Sequence, residues 1–87
     1  MNKLLKKEYD KVPDFVKENL AEAINWAMLA LTIHEGAGHN INVTGNSDNQ
    51  VCCCFDKSSW KADHCGDYMD TASEAVVLAV CEYLIGE

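Results

Sequence analysis

The sequence predicts one α+β domain in which a helix, a three-stranded antiparallel meander and a second helix follow in that order. Three patterns carry this prediction. Apolar residues recur every three or four positions across residues 15–31, three short strand-like runs separated by turn residues lie within 41–64, and a capped apolar stripe covers 72–84. A chain of 87 residues is the size of one domain, with a modest core.

The first 12 residues are predicted to be a lysine-rich lead, and the domain is predicted over residues 13–87. Chain ends are poorly ordered unless other contacts hold them, so we expect a frayed start. The alternative is that Leu4 and Leu5 pack or begin a short helical turn. Four of the seven basic residues fall in this lead: Lys3, Lys6, Lys7 and Lys11.

The first helix is predicted to begin at Pro13, since proline suits a first helical turn. Asp14 and Glu18 lie near that positively polarised end, where carboxylates are favoured. Trp26 and Leu29 broaden the apolar face in the second half, as in a helix beneath a sheet or at a dimer contact. Gly36 is predicted to end the helix.

The strands are predicted over residues 41–44, 51–55 and 60–64, joined by a hairpin loop and by a turn at 56–59. In the second strand Val51, Cys53 and Phe55 share one face, while Cys52 and Cys54 share the other. Both faces are apolar, which predicts a central strand. The polar alternation of the third strand is typical of an edge.

The second helix is predicted to begin at a capping box, in which Thr71 accepts from the backbone and Glu74 reaches back. Asp70 is a rival cap one residue earlier. Gly86 is predicted to end this helix.

The charge is acidic, with 14 acidic against 7 basic residues and a net charge of −7. No basic footprint for nucleic acid is present, so we expect no direct nucleic-acid binding. An acidic surface suits a basic protein partner, and it also keeps a small protein in solution. The apolar runs are too short to span a bilayer, and no secretory signal is recognised, so no membrane role is expected.

The five cysteines are expected to be free thiols in a reducing cytosol, because no export signal precedes them. A metal site built from Cys52, Cys54 and Cys65 is the alternative, although the paired knuckles typical of structural zinc are missing. A disulfide or redox role is a third possibility.

No catalytic residue and no cofactor are expected. The segment from His34 to His39 resembles a zinc-protease helix, but its second histidine comes one residue late and two glycines interrupt it. Nucleophilic catalysis needs a cysteine or serine beside an oriented histidine, and no spacing in this sequence selects such a pair.

The end of the chain combines a strand, a short polar turn, a strand that begins with tryptophan, and a capped helix with regularly spaced alanines. The residues of this pattern are Val51 to Phe55, Trp60 to Ala62, and Asp70, Thr71 and Ala72 with Ala75, Ala79 and Leu84. This pattern, over about the last 40 residues, resembles a small domain common in bacteriophage genomes, the phage ABA sandwich domain. The resemblance implies a phage or prophage origin, and the family has no assigned catalytic residues to carry over.

The predicted function is therefore that of a small acidic phage-type protein that inhibits a host defence system, such as a CRISPR-Cas complex, in the host cytoplasm. It would act by non-catalytic contact with a basic or nucleic-acid-binding host protein. The alternatives are an oligomeric module that sequesters a small signalling nucleotide, a cysteine-based metal-binding protein, and a homodimer. The predicted partner-binding residues are Asp48, Asp56, Trp60, Asp63 and Asp67.

Overall fold

The computed structural model describes residues 2–57 and 64–86, and these form four α-helices and a three-stranded sheet. The predicted α+β class, with helical segments before and after an antiparallel meander, is confirmed. The elements are α1 Lys3–Lys11, α2 Asp14–Glu18, α3 Leu20–Glu35, β1 His39–Gly45, β2 Val51–Lys57, β3 His64–Cys65 and α4 Ala72–Gly86.

The sheet has the order β1-β2-β3 with antiparallel neighbours, so β2 is the central strand, as predicted. Asn46 closes the β1–β2 hairpin, because its side-chain oxygen accepts from the backbone N–H groups of Asp48 at 2.9 Å and Gln50 at 3.1 Å. β2 extends two residues further than predicted, since Asp56 and Lys57 still pair with β1. Most of the predicted third strand, residues 60–63, lies outside the described residues.

The lysine-rich lead is a helix rather than a frayed end. The Asn2 side chain accepts from the Leu5 N–H at 2.7 Å and caps the first turn of α1. Leu5 and Tyr9 lie four residues apart on one face, and both are buried against the core. This contact with the rest of the fold is what orders the start of the chain.

The predicted first helix is two helices, because the backbone leaves the helical region at Asn19 (φ −133°, ψ 121°). The Asn19 side chain accepts from the Glu22 N–H at 3.1 Å, which makes Asn19 the cap of α3. The break lets Val16 of α2 enter the core. It also leaves the Lys17 carbonyl free to accept from the Ser73 hydroxyl at 2.7 Å.

Helix α4 is the centre of the molecule. Residues 75–81 are all buried, because α1, α2, α3 and the sheet surround this helix. The capping box at its start is confirmed, with the Glu74 N–H donating to Thr71 Oγ1 at 3.3 Å. The Thr71 hydroxyl in turn donates to Glu74 Oε1 at 2.7 Å, so Glu74 reaches back to a side chain. Among the described residues, no helix is long and apolar enough to cross a membrane.

Candidate functional site

A group of polar contacts from several elements surrounds Glu35, at the end of α3. His39 Nε2 donates to Glu35 Oε1 at 2.7 Å, and the Tyr83 hydroxyl donates to Glu35 Oε2 at 2.8 Å. Lys57 Nζ donates to the Glu35 backbone carbonyl at 2.6 Å. We call Glu35, His39, Lys57 and Tyr83 the Glu35 cluster. It joins α3, β1, β2 and α4 at one point.

Two glycines bring the members of this cluster together. Gly36 and Gly38 have φ values of 95° and 104°, in the left-handed region that favours glycine, and they turn the chain sharply after α3. The turn places the His39 ring within hydrogen-bonding distance of Glu35, four positions earlier in the chain. The segment that resembles a zinc-protease helix is therefore the end of a helix and a turn, as the sequence predicts, but β1 begins at His39, two residues earlier than predicted.

Aromatic contacts place all three histidines of the chain next to this cluster or its neighbour Phe55. The rings of His34 and His64 lie 5.9 Å and 5.2 Å from the ring of Tyr83. The ring of His39 lies 6.3 Å from that of Phe55. The sequence does not predict this grouping, since the contributing residues come from five separate elements.

The electrostatics of Glu35 favour a fixed carboxylate. Burial on its own raises its pKa, but hydrogen bonds from His39 and Tyr83, together with the charges of His39 and His34, outweigh burial and lower the pKa below its ordinary value. The carboxylate is therefore ionised at neutral pH. Both of its oxygens accept hydrogen bonds from the protein, so the cluster holds the end of α3 against the sheet and α4.

Replacing Glu35 with glutamine is expected to lower the free energy of unfolding at pH 7 by about 1–3 kcal/mol, because one charge-assisted acceptor is lost from a half-buried site. A carboxyl whose pKa is lowered on folding stabilises fully above its ordinary pKa, and this contribution disappears as the pH falls through the lower, folded-state pKa. Urea unfolding across the acid range therefore shows a smaller loss of stability in the variant than in the wild type.

Glu22→Gln is the control for this experiment, since Glu22 is an exposed glutamate on the same helix. We expect a change within about 0.5 kcal/mol there. Equal effects of the two substitutions would contradict a stabilising role for the Glu35 cluster.

Two of the cysteines form a disulfide, Cys54–Cys65, so the expectation of free thiols is wrong for this pair. The physical reason is the strand register, which places Cys54 directly opposite Cys65 on the same face of the sheet. The alternative metal site of Cys52, Cys54 and Cys65 fails for the same reason, because two of its sulfurs are bonded to each other. Within residues 2–57 and 64–86, no three His, Cys, Asp or Glu side chains are grouped to hold a metal ion.

The other three cysteines, Cys52, Cys53 and Cys81, are buried free thiols, as predicted. Burial raises the pKa of Cys53 to about 11, with a smaller contribution from Cys52. It likewise raises the pKa of Cys81 to about 11. Both thiols stay protonated at neutral pH and behave as small apolar side chains.

The described members of the predicted partner-binding set do not form one patch. Asp48 lies in the hairpin turn, whereas Asp56 lies near the far end of β2 and accepts from Asn40 Nδ2 at 2.9 Å. The strand between Val51 and Asp56 spans roughly 16 Å. Asp67 follows β3, and its N–H donates to Glu82 Oε1 at 3.1 Å. Trp60 and Asp63 lie outside the described residues.

The second half of α3, which the sequence predicts to lie beneath a sheet or at a dimer contact, carries an exposed apolar face. Leu29 and Ile33 lie one turn apart and are 62% and 78% exposed, beside the half-buried Trp26. We call Trp26, Leu29 and Ile33 the α3 stripe. In the sequence, Trp26 and Leu29 indicate the α3 stripe, because they broaden the apolar face in the second half of the helix. The fully buried residues of α3 are Ala23, Ala27 and Leu31, and Trp26 packs only partly against the core.

These features define an α+β domain with a structural polar cluster and an uncovered apolar helix face. Comparison with known proteins gives no matching family model, no matching curated protein and no matching solved structure. The resemblance of residues 51–84 to the phage ABA sandwich domain therefore stays a prediction.

Proposed function

We propose that this chain is a small acidic binding protein that acts by non-catalytic contact with another protein, and that the α3 stripe is the apolar part of that contact. The observation that carries the proposal is the exposure of Leu29 and Ile33, at 62% and 78%. Adjacent large apolar side chains that remain in water favour association, because their burial by a partner releases that water. The neighbouring Trp26 belongs to a residue type common in the energetic centres of interfaces.

The charge around this face indicates the chemistry of the partner. α3 carries Glu22 and Glu35 but no lysine or arginine. Residues 18–87 hold 11 of the 14 acidic residues and two of the seven lysines. Such a surface attracts a basic protein and steers its approach, which fits a partner that itself binds nucleic acid.

The particular form of this function that we propose is inhibition of a host defence system, such as a CRISPR-Cas complex, by a phage-type protein in the host cytoplasm. Two observations support it. Residues 51–84 resemble a phage domain, and the acidic surface complements complexes that hold nucleic acid in basic channels. The step from fold resemblance to inhibition is an analogy, so it requires a direct test.

The test measures phage plaquing on bacteria whose CRISPR-Cas system targets that phage, with and without the chain. Wild type is expected to restore plaquing, while a Leu29→Ser/Ile33→Ser double variant is expected to lose the effect. Leu4→Ser is the matched control, because Leu4 is 56% exposed on α1, away from the α3 stripe.

Binding of the purified effector complex, measured by interferometry, should weaken at least about tenfold in the double variant, since each buried aliphatic side chain contributes about 1.5–3 kcal/mol. Unchanged plaquing with wild type would overturn the inhibitor proposal. If the double variant still restores plaquing, the α3 stripe is not part of the inhibitory contact. Light scattering on the free chain shows whether a second copy covers the stripe instead.

A further inference from the structure

A groove lies where α1, α2 and the start of α4 meet, away from both the Glu35 cluster and the α3 stripe. It is open to solvent, with a volume of about 530 Å³, within the range of ligand-binding pockets. The side chains that matter for its chemistry are Tyr9, Asp14, Lys17, Glu18, Thr71 and Glu74.

The groove is acidic, with three carboxylates against one lysine. That lysine is already engaged, since Lys17 Nζ donates to the Tyr9 carbonyl at 3.3 Å and lies 4.7 Å from the centre of the Tyr9 ring. It also lies 3.8 Å from Asp14 Oδ1, and its side chain is only 14% exposed. Because the Asp14 side chain is 88% exposed, water screens this ion pair, and the groove keeps a net charge of −2 from three carboxylates and one lysine.

Tyr9 adds a second, independent feature to the groove. This residue is 9% exposed, and the exposed part lines the groove. No residue among 2–57 and 64–86 forms a hydrogen bond with its hydroxyl. The hydroxyl oxygen itself is not fully buried, so a partner that enters from the groove can reach it as a donor or as an acceptor.

The protonation state of Tyr9 decides which role the hydroxyl takes. Burial, and after it the negative charge of Glu74, raises the pKa of Tyr9 to about 12. The phenol therefore stays neutral, and its oxygen accepts a hydrogen bond as well as donating one. A cationic donor can thus meet a phenol oxygen and carboxylate oxygens in the same groove.

We infer that this groove binds the guanidinium group of an arginine side chain presented by the partner protein, an inference that rests on the proposed binding function. A guanidinium carries five N–H donors in one plane, so it can donate to more than one of the acceptors that line the groove, which are Glu18, Glu74 and the Tyr9 oxygen. The chain itself contains no arginine. Neither its own side chains nor a second copy therefore supplies this group.

The experiment titrates the isotopically labelled 87-residue chain with a blocked arginine, N-acetyl-arginine methylamide, and follows backbone amide shifts by NMR. Saturable shifts are expected at Thr71, Ser73 and Glu74, and they weaken as salt is added. Glu74→Gln is expected to weaken binding about fivefold or more, as loss of one charge-assisted hydrogen bond implies. Tyr9→Phe is also expected to weaken arginine binding, because it removes the hydroxyl and keeps the packed ring.

Asp48→Asn is the matched control, since it removes the same charge from the distant hairpin turn and is expected to leave the affinity unchanged. Blocked lysine is expected to bind more weakly than blocked arginine. Absence of saturable shifts, or equal weakening in Glu74→Gln and Asp48→Asn, would overturn the inference.

The probe needs no partner protein, so the two proposals fail separately. Arginine binding without any effect on plaquing supports the groove and removes the inhibitor function. If the partner protein still binds although the chain binds no arginine, the inference about the groove is wrong and the inhibitor function is supported.

Discussion

Replacing Phe55 with alanine is expected to lower the free energy of unfolding by about 3–5 kcal/mol, the usual cost of removing a buried phenylalanine ring. Phe55 is 1% exposed in the central strand, and its ring meets that of Tyr83 edge-on at 5.0 Å. A small domain has a total stability of about 5–15 kcal/mol, so this loss is a large part of it. Urea unfolding followed by circular dichroism measures the change.

Phe15→Ala provides a control with identical chemistry, because Phe15 is 61% exposed. Its effect is expected to stay within about 0.5 kcal/mol. A similar loss at both positions would mean that β2 does not pack its Phe55 face against α4.

The second large effect is expected from Gly66→Ala, which should cost about 3 kcal/mol and lower the thermal midpoint. A Cβ atom at Gly66 would lie 2.7 Å from the Ala79 Cα and 2.8 Å from its Cβ. The first of these atoms belongs to the backbone of the central helix, so no side-chain rotation relieves the clash. β3 or α4 would have to move, although the Gly66 N–H holds the Cys53 carbonyl at 2.9 Å.

Gly45→Ala is the comparison, since the nearest atoms to a Cβ there are 3.7 Å and 3.9 Å away, at ordinary contact distance. Thermal unfolding of both variants should show a clearly larger loss for Gly66→Ala. The opposite order would contradict the close approach of Gly66 to α4.

Several parts of the fold were predictable because their signals lie within a few neighbouring residues. Apolar residues on both faces of residues 51–55 predicted that β2 lies at the centre of the sheet. The capping pair of Thr71 and Glu74 located the start of α4 to the residue. The glycine after Glu35 located the end of α3.

Other parts were missed because the decisive contacts join distant residues. The cap at Asn19 has a local sequence signature, but the helical periodicity continues across it, so two helices were predicted as one. The first 12 residues were predicted to be frayed, because the sequence does not show that Leu5 and Tyr9 pack into the core. Pairing of Cys54 with Cys65 follows from strand register, which residue spacing alone does not define.

The sequence by itself determined the α+β class, the order of the elements and the acidic charge, because periodicity, caps and composition are properties of neighbouring residues. The tertiary structure alone decided which surfaces remain available. It buried residues 75–81 on every side, left Leu29 and Ile33 in water, and gathered Glu35, His39 and Tyr83 from three elements. Exposure and long-range hydrogen bonds depend on how the elements pack, and the packing balances burial of all apolar faces at once.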